Sequence, residues 1–157
     1  MTKLLFLPLP STVADAYRAG KPDANGQPPV RHISDGSGIP CRHCLTDVDA
    51  DKPYLLLSHR PFPKAQPYAE TGPIFVHANP CPAFEMKDTV PPMIAVRDQM
   101  LIRGYSAEHR ICEGTGHVVS TREIKDRALK MLEDDGVHYV HVRSASNNCF
   151  QCRIETV

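Results

Sequence analysis

The chain has 157 residues, with eighteen basic and eighteen acidic residues, and 41% of it is hydrophobic. This balance permits a hydrophobic core and excludes a disordered chain, and no stretch approaches the roughly 18 apolar residues of a membrane helix. Zero formal charge is untypical of proteins that bind nucleic acid by neutralising phosphates. We therefore expect a soluble single domain over residues 1–157, with no membrane and no nucleic-acid partner.

Proline is distributed unevenly along the chain. All fifteen prolines occur at or before Pro92, and residues 93–157 contain none. Because proline fixes φ and lacks a backbone N–H, it interrupts helices and central strands. We predict long proline-rich loops in residues 1–92, including the loop 59–73, and more regular elements in residues 93–157.

Short apolar runs in the first part predict strands. The run Tyr54–Ser58 is almost continuously apolar, which is typical of a strand that is buried on both faces. Ser11 is a helix-capping residue type, and it precedes a predicted short helix over Thr12–Arg18 that ends at Gly20. The other strands predicted in this part are Leu4–Leu7, Val30–Ile33 and Ile74–His77.

The second part carries one clear helical pattern. The residues Ser120–Glu123 match a capping box, in which the first and last side chains cap the helix N-terminus. Apolar residues then recur on one helical face, which predicts one main amphipathic helix near 121–133. The apolar residues of this face are Ile124, Ala128, Met131 and Leu132.

The strands of the second part determine the predicted fold class. β-Branched and aromatic residues predict strands over Val137–Arg143 and Cys149–Val157. The segments Arg110–Cys112 and His117–Val119 resemble a short hairpin. Mixed elements with short connections favour an α+β fold with a mostly antiparallel sheet.

The N-terminal segment bears on the compartment. The apolar run within Lys3–Leu9 is short and interrupted by a proline, unlike the apolar core of about 7–15 residues in a secretory signal peptide. We interpret it as an edge strand and expect a cytoplasmic protein. Thiols stay reduced in that compartment, so the six cysteines are expected to be metal ligands, redox groups or buried small side chains.

Four cysteines form two Cys-x-x-Cys pairs, Cys41 with Cys44 and Cys149 with Cys152. Each pair can place two sulfurs on one turn, and two such pairs supply the four thiolates of a tetrahedral zinc site. The pairs lie much farther apart in sequence than in common zinc ribbons, so the fold must bring them together. We predict zinc as the cofactor on these four residues.

Other ligand sets remain open from the sequence. His77 and Cys81 are spaced i, i+4 and can complete a metal site with the first cysteine pair, and His43 can replace a cysteine. The more ordinary interpretation makes His77 a strand-end imidazole bonded to backbone, and Cys81 a buried thiol. Alternatively, Cys41 and Cys44 form a redox dithiol, although no long helical pattern follows them as in thioredoxin-like sites.

Arginines near these cysteines predict a different kind of site. Arg42, Arg143 and also His77 and Cys81 can shape a pocket for a small anionic ligand under the loop 59–73. The glycines around Glu113–Gly116 lack the residues of a phosphate-binding loop, so no nucleotide cofactor is indicated.

Several motifs together resemble the bacterial domain-of-unknown-function family 1203, over about residues 28–157. The resemblance implies a small bacterial stand-alone protein and assigns no activity. The family pattern fits Cys41 and the Cys149/Cys152 pair, whereas the position of Cys44 need not be cysteine. The motifs that carry the resemblance are Pro40–Arg42 with Leu45, Pro67–Tyr68, Gly72–Val76, Arg103–Tyr105, His141–Arg143 and Cys149–Ile154.

Three functions remain compatible with the sequence. The leading hypothesis is a zinc-stabilised binding or structural domain, since four thiolates leave the metal no open position. The second is a thiol-dependent enzyme that uses Cys41 or Cys149 with an arginine pocket. The third is a domain that binds a small molecule or a protein partner, with buried cysteines and no metal.

Overall fold

The computed structural model describes residues 2–157, and its strands form two antiparallel sheets. The predicted α+β class with a mostly antiparallel sheet is confirmed. Twelve short elements alternate with long loops, and the proline-rich segment 60–71 is one of these loops. No helix among residues 2–157 is long and apolar enough to cross a membrane.

The larger sheet has five strands in the order β1-β8-β7-β5-β6. Its central strand β7 is buried along most of its length, while β5 and β8 alternate between core and surface. One face packs on the helix α3 (Ile124–Leu132), as the apolar stripe of this helix predicts. The strands are β1 (Leu4–Leu7), β5 (Gln99–Tyr105), β6 (His117–Ser120), β7 (Tyr139–Ser144) and β8 (Phe150–Thr156).

The smaller sheet has three strands in the order β2-β3-β4. In β3 only alternate residues are buried, so the expectation of burial on both faces was wrong for this strand. All four residues of the edge strand β2 are exposed. The strands are β2 (Val30–Ile33), β3 (Pro53–His59) and β4 (Gly72–His77).

The helices are α1 (Ser11–Arg18), α2 (Pro92–Ala95) and α3 (Ile124–Leu132), and a 3-10 turn precedes α3. The main amphipathic helix is confirmed, but neither Ser11 nor Ser120 caps a helix through its side chain. The Ser11 hydroxyl instead lies 2.8 Å from Nε2 of His43. Helix α1 begins after Pro10, whose fixed φ sets the chain direction there.

The predicted hairpin between Arg110–Cys112 and His117–Val119 was wrong. Strand β6 pairs with β5, and Ile111 forms an isolated bridge with Tyr105. Both segments therefore attach to β5 rather than to each other. The long range of this pairing explains why the local pattern misassigned it.

The turn 41–45 joins the two sheets. Its residue Cys41 packs in the core of the small sheet, whereas Leu45 packs in the core of the large sheet. Four other segments bond to the backbone of this turn, so its position is fixed from several directions. The backbone partners are Leu9 N, Phe75 O, Phe84 N and Met93 N, at 2.8–3.0 Å.

Candidate metal centre

Three thiols and one imidazole meet where β4 ends. Sγ of Cys41, Cys44 and Cys81 and a ring nitrogen of His77 all lie within 4.8 Å of one another. The Sγ atoms of Cys41 and Cys81 are 4.0 Å apart, and Sγ of Cys44 is 3.4 Å from Nδ1 of His77. This Cys3His set is one of the usual donor sets of structural zinc.

Local backbone geometry explains how the first two ligands converge. Leu45 N donates to Cys41 O at 2.9 Å, which closes a tight turn around Cys41 and Cys44. Leu45 itself has φ of 57°, a left-handed conformation that leucine rarely adopts. Because its side chain is fully buried in the large core, packing there offsets the backbone strain.

Strand pairing brings in the other two ligands. Cys41 forms a parallel bridge with Phe75 beside the outer edge of β4, and His77 lies two residues farther along that strand. The backbone N–H of His77 donates to Sγ of Cys41 at 3.3 Å. The chain then bends at Ala78 and Asn79, directly after β4, and Cys81 returns to the same group.

Further side chains surround the sulfurs. Arg18 of α1 donates from Nη2 to Sγ of Cys81 at 3.0 Å and from Nε to the backbone oxygen of His77 at 2.9 Å. The ring of His43 connects Cys81 to Ser11, since its Nδ1 is 3.2 Å from Sγ of Cys81. Such contacts orient metal ligands and stabilise thiolate charge.

The protonation states of the cluster are coupled. Hydrogen bonds from the thiols of Cys44 and Cys81 lower the pKa of Cys41, while the pKa of Cys44 and Cys81 is raised by that same neighbour. The bond to Cys41 also raises the pKa of His77 to about 10. The protein alone thus favours one thiolate beside one imidazolium, and a metal ion would displace the remaining protons.

The second cysteine pair lies elsewhere. Cys152 is fully buried within the large core, where burial raises its pKa. Cys149 lies at the turn before β8. Among residues 2–157, the group of potential ligands pairs Cys41 and Cys44 with His77 and Cys81, not with this second pair.

The two Cys-x-x-Cys segments do approach each other, through Arg42. Its Nε donates to the backbone oxygen of Phe150 at 2.6 Å, and its Nη1 donates to that of Pro40 at 2.6 Å. Its guanidinium also lies over the ring of Phe75, 5.5 Å from the centroid. Burial lowers the pKa of Arg42 to about 10, so the side chain remains a cation at neutral pH.

Arg143 of β7 belongs to a separate group of charged side chains. It forms an ion pair with Glu70, which also accepts a hydrogen bond from Arg103 at 2.8 Å. Its neighbour His141 is buried against aromatic rings, and that burial holds the pKa of His141 well below its usual value. A cavity of about 180 Å³ lies beside Arg143 and Glu70.

Sequence reasoning identified Cys41 and Cys44, and it noted the spacing of His77 and Cys81 while favouring ordinary roles for both. In the structure, Nδ1 of His77 lies 3.4 Å from Sγ of Cys44, and Sγ of Cys81 lies 4.0 Å from Sγ of Cys41. Arg18 was missed. The sequence pattern places Arg18 in the last turn of α1. Nothing in that pattern indicates that β4 packs beside this turn.

The fold and this cluster define an α+β protein with a candidate Cys3His metal centre. The chain belongs to the family described as "Protein of unknown function (DUF1203)", whose model matches residues 38–156. No curated protein and no solved structure matches the chain.

Proposed function

We propose that the protein is a zinc-stabilised binding domain, with one zinc ion held by Cys41, Cys44, His77 and Cys81. The main support for this proposal is that three sulfur atoms and one nitrogen atom of these residues all lie within 4.8 Å of one another. Zinc prefers four such ligands in a tetrahedron.

The observed spacings match that tetrahedron. With Zn–S near 2.3 Å and Zn–N near 2.0–2.1 Å, neighbouring sulfurs lie about 3.8 Å apart and a sulfur and nitrogen about 3.6 Å apart. The corresponding separations here are 4.0 Å for Cys41 and Cys81, and 3.4 Å for Cys44 and His77. Only small rotations of the side chains are needed to admit the ion.

A structural role is favoured over a catalytic one. Four protein ligands close the coordination shell and leave no position for a reactive water. Three thiolates around a divalent cation carry one net negative charge, and Arg18, which bonds to Cys81, supplies the opposite charge. The turn that holds Cys41 and Cys44 anchors both cores, so the ion would stabilise the junction between the two sheets.

The proposed thiolate ligands also favour a cytoplasmic protein, because thiols stay reduced in that compartment and are then able to bind a metal.

The test is metal content with ligand assignment. Protein purified under reducing conditions, without chelator or metal-affinity column, is expected to contain one zinc per chain by elemental analysis. X-ray absorption should give three Zn–S bonds and one Zn–N bond. Protein without bound zinc that also fails to bind added zinc would contradict the proposal.

Matched variants separate the two ligand sets. His77→Ala or Cys81→Ser is expected to weaken zinc binding strongly, whereas Cys149→Ser should leave one zinc per chain, because Cys149 lies outside the cluster. Loss of zinc from Cys149→Ser would instead favour the tetrathiolate set with Cys149 and Cys152.

A further inference from the structure

A cleft lies between the two sheets. It encloses about 460 Å³, within the range of ligand pockets. Its wall is formed by the segment 38–42 and β4, by Arg97 with the start of β5, and by the residues from Ser144 to Gln151 around the turn before β8. The residues that matter for binding are Arg42, Phe75, Ser144, Cys149 and Gln151.

Arg42 gives this cleft a fixed positive charge. The residue is 1% exposed, and no carboxylate among residues 2–157 lies within ion-pair distance of it. Its Nε and Nη1 are bonded to backbone oxygens, while Nη2 forms no hydrogen bond with the described residues. A buried cation without an anionic partner is costly, and a bound anion would supply that partner.

Gln151 provides the second polar group. It is 3% exposed, and its Nε2 donates to the backbone oxygen of Cys149 at 3.3 Å. Its Oε1 is buried without any hydrogen-bond donor. Buried polar atoms are almost always hydrogen-bonded, so we expect this oxygen to accept a hydrogen bond from a bound molecule. Gln151 follows Phe150, whose carbonyl binds Arg42, so both groups face the same cleft.

The chemistry of the ligand follows from these two groups. Arg42 requires an anionic oxygen, and Oε1 of Gln151 requires a hydroxyl or N–H hydrogen. No aspartate or glutamate lines the cleft, so an ammonium group would find no counter-charge there. We propose that the cleft binds a small hydroxycarboxylate, with its carboxylate on Arg42 and its hydroxyl donating to Gln151.

This proposal names the ligand of the binding domain proposed above. It rests on that function in one respect, since Arg42 lies between two of the zinc ligands, Cys41 and Cys44. The cavity and Gln151 do not involve the metal. Binding of ligand and binding of zinc are therefore measured separately on every variant.

The first experiment compares two probes that differ by one hydroxyl. Glycolate and acetate are titrated separately into the zinc-loaded protein at constant ionic strength, and side-chain and backbone signals are followed by nitrogen-15 NMR. We expect saturable shifts at Arg42 and Gln151, with glycolate bound about fivefold tighter than acetate, the ratio expected for one added hydrogen bond. No saturable shift with glycolate up to tens of millimolar would overturn the proposal, as would equal affinity for the two acids.

Variants locate the site. Gln151→Met should remove the preference for glycolate, and Arg42→Met should weaken both acids at least about tenfold. Arg31→Met, in the exposed strand β2, is the matched control and should bind both acids as the wild type does. Unchanged glycolate affinity in a folded Arg42→Met variant would overturn the assignment.

The zinc content of each variant distinguishes this proposal from the metal proposal. If Arg42→Met loses zinc or unfolds, the decision rests on Gln151→Met and on the comparison of the two acids in the wild type. A protein without zinc whose cleft still prefers glycolate would contradict the metal proposal alone. A zinc-loaded protein without that preference would contradict the cleft proposal alone.

Discussion

The two sheets of this protein are stabilised in different ways. The five-stranded sheet has a core of fifteen buried residues, whereas eight buried residues support the three-stranded sheet. The small sheet has in addition the cluster of thiols and imidazole at the end of β4. Because apolar burial scales with area, we expect the small sheet to depend more on the proposed zinc cross-link, as small domains often depend on metals.

The largest expected effect is removal of the metal. Chelation should abolish slow amide exchange in β2, β3, β4 and the turn 41–45, because zinc binding contributes several kcal/mol to such sites. Protection in β5, β7 and β8 should persist. The measurement is hydrogen exchange with and without chelator. Equal loss of protection in both sheets would show that they do not differ as argued.

Cys112→Ser is the control for that experiment. Cys112 lies outside the cluster and bonds to the backbone oxygen of Gly136. The variant should keep its zinc and show the same contrast between the sheets.

Truncation of one buried side chain in each core tests whether apolar burial stabilises the large sheet more than the small one. Ile154→Ala in β8 should lower the free energy of unfolding by about 3–4 kcal/mol, since the fully buried side chain leaves a cavity. Leu55→Ala in β3, which is 8% exposed, should cost only about 2 kcal/mol in zinc-loaded protein. Urea denaturation of both variants gives the two values, and a reversed order would contradict the comparison.

Acid should weaken both sheets, through the imidazoles of His59 in β3 and His141 in β7. Burial lowers the pKa of His59 to about 4 and also lowers that of His141, so the folded protein takes up these protons later than the unfolded chain, whose histidines titrate near 6.5. Their contribution to stability is complete above about pH 6.5 and declines as the pH falls toward 4.

The measurement is the free energy of unfolding against pH. His141→Gln should show a shallower decline than the wild type over this window, even if the variant is less stable throughout. Comparing the two proteins at each pH cancels the competition of protons at the metal. Equal slopes would show that His141 does not titrate as argued.

The smallest effect is expected for the ion pair between Asp47, which follows the turn 41–45, and Arg97, which follows α2. Arg97 donates to both carboxylate oxygens of Asp47 at 3.1 Å, with both side chains about a quarter exposed. Asp47→Asn should cost about 0.5–1 kcal/mol. The more exposed pair of Lys125 and Asp88 provides the control, since Asp88→Asn should change thermal stability less.

The sequence predicted local features better than distant contacts. Alternation and β-branched residues located most strands, and the apolar stripe located α3, because these signals arise within a few residues. The pairing of Cys41 with Phe75 depends on sheet register across a long loop. Without that register, sequence patterns offer no reason to prefer His77 and Cys81 over the second Cys-x-x-Cys pair as partners of Cys41 and Cys44.

The same limit explains the missing details of the cleft. The missing anionic partner of Arg42 and the missing donor to Oε1 of Gln151 become visible only once the two sheets are assembled. The left-handed conformation of Leu45 could not be predicted from the sequence either, because leucine is not a residue type that indicates a turn.

The pairing of β1 with β8 sets the order of events during synthesis. Leu4 lies opposite Thr156, so β1 must wait for β8 to be synthesised about 150 residues later before it can pair. At about 5–20 residues per second, that wait is roughly 7–30 s. The proposed metal ligands, which span only residues 41–81, are complete well before then. On the zinc proposal, the nascent chain could therefore bind the ion while the apolar strand β1 is still unpaired and accessible to chaperones.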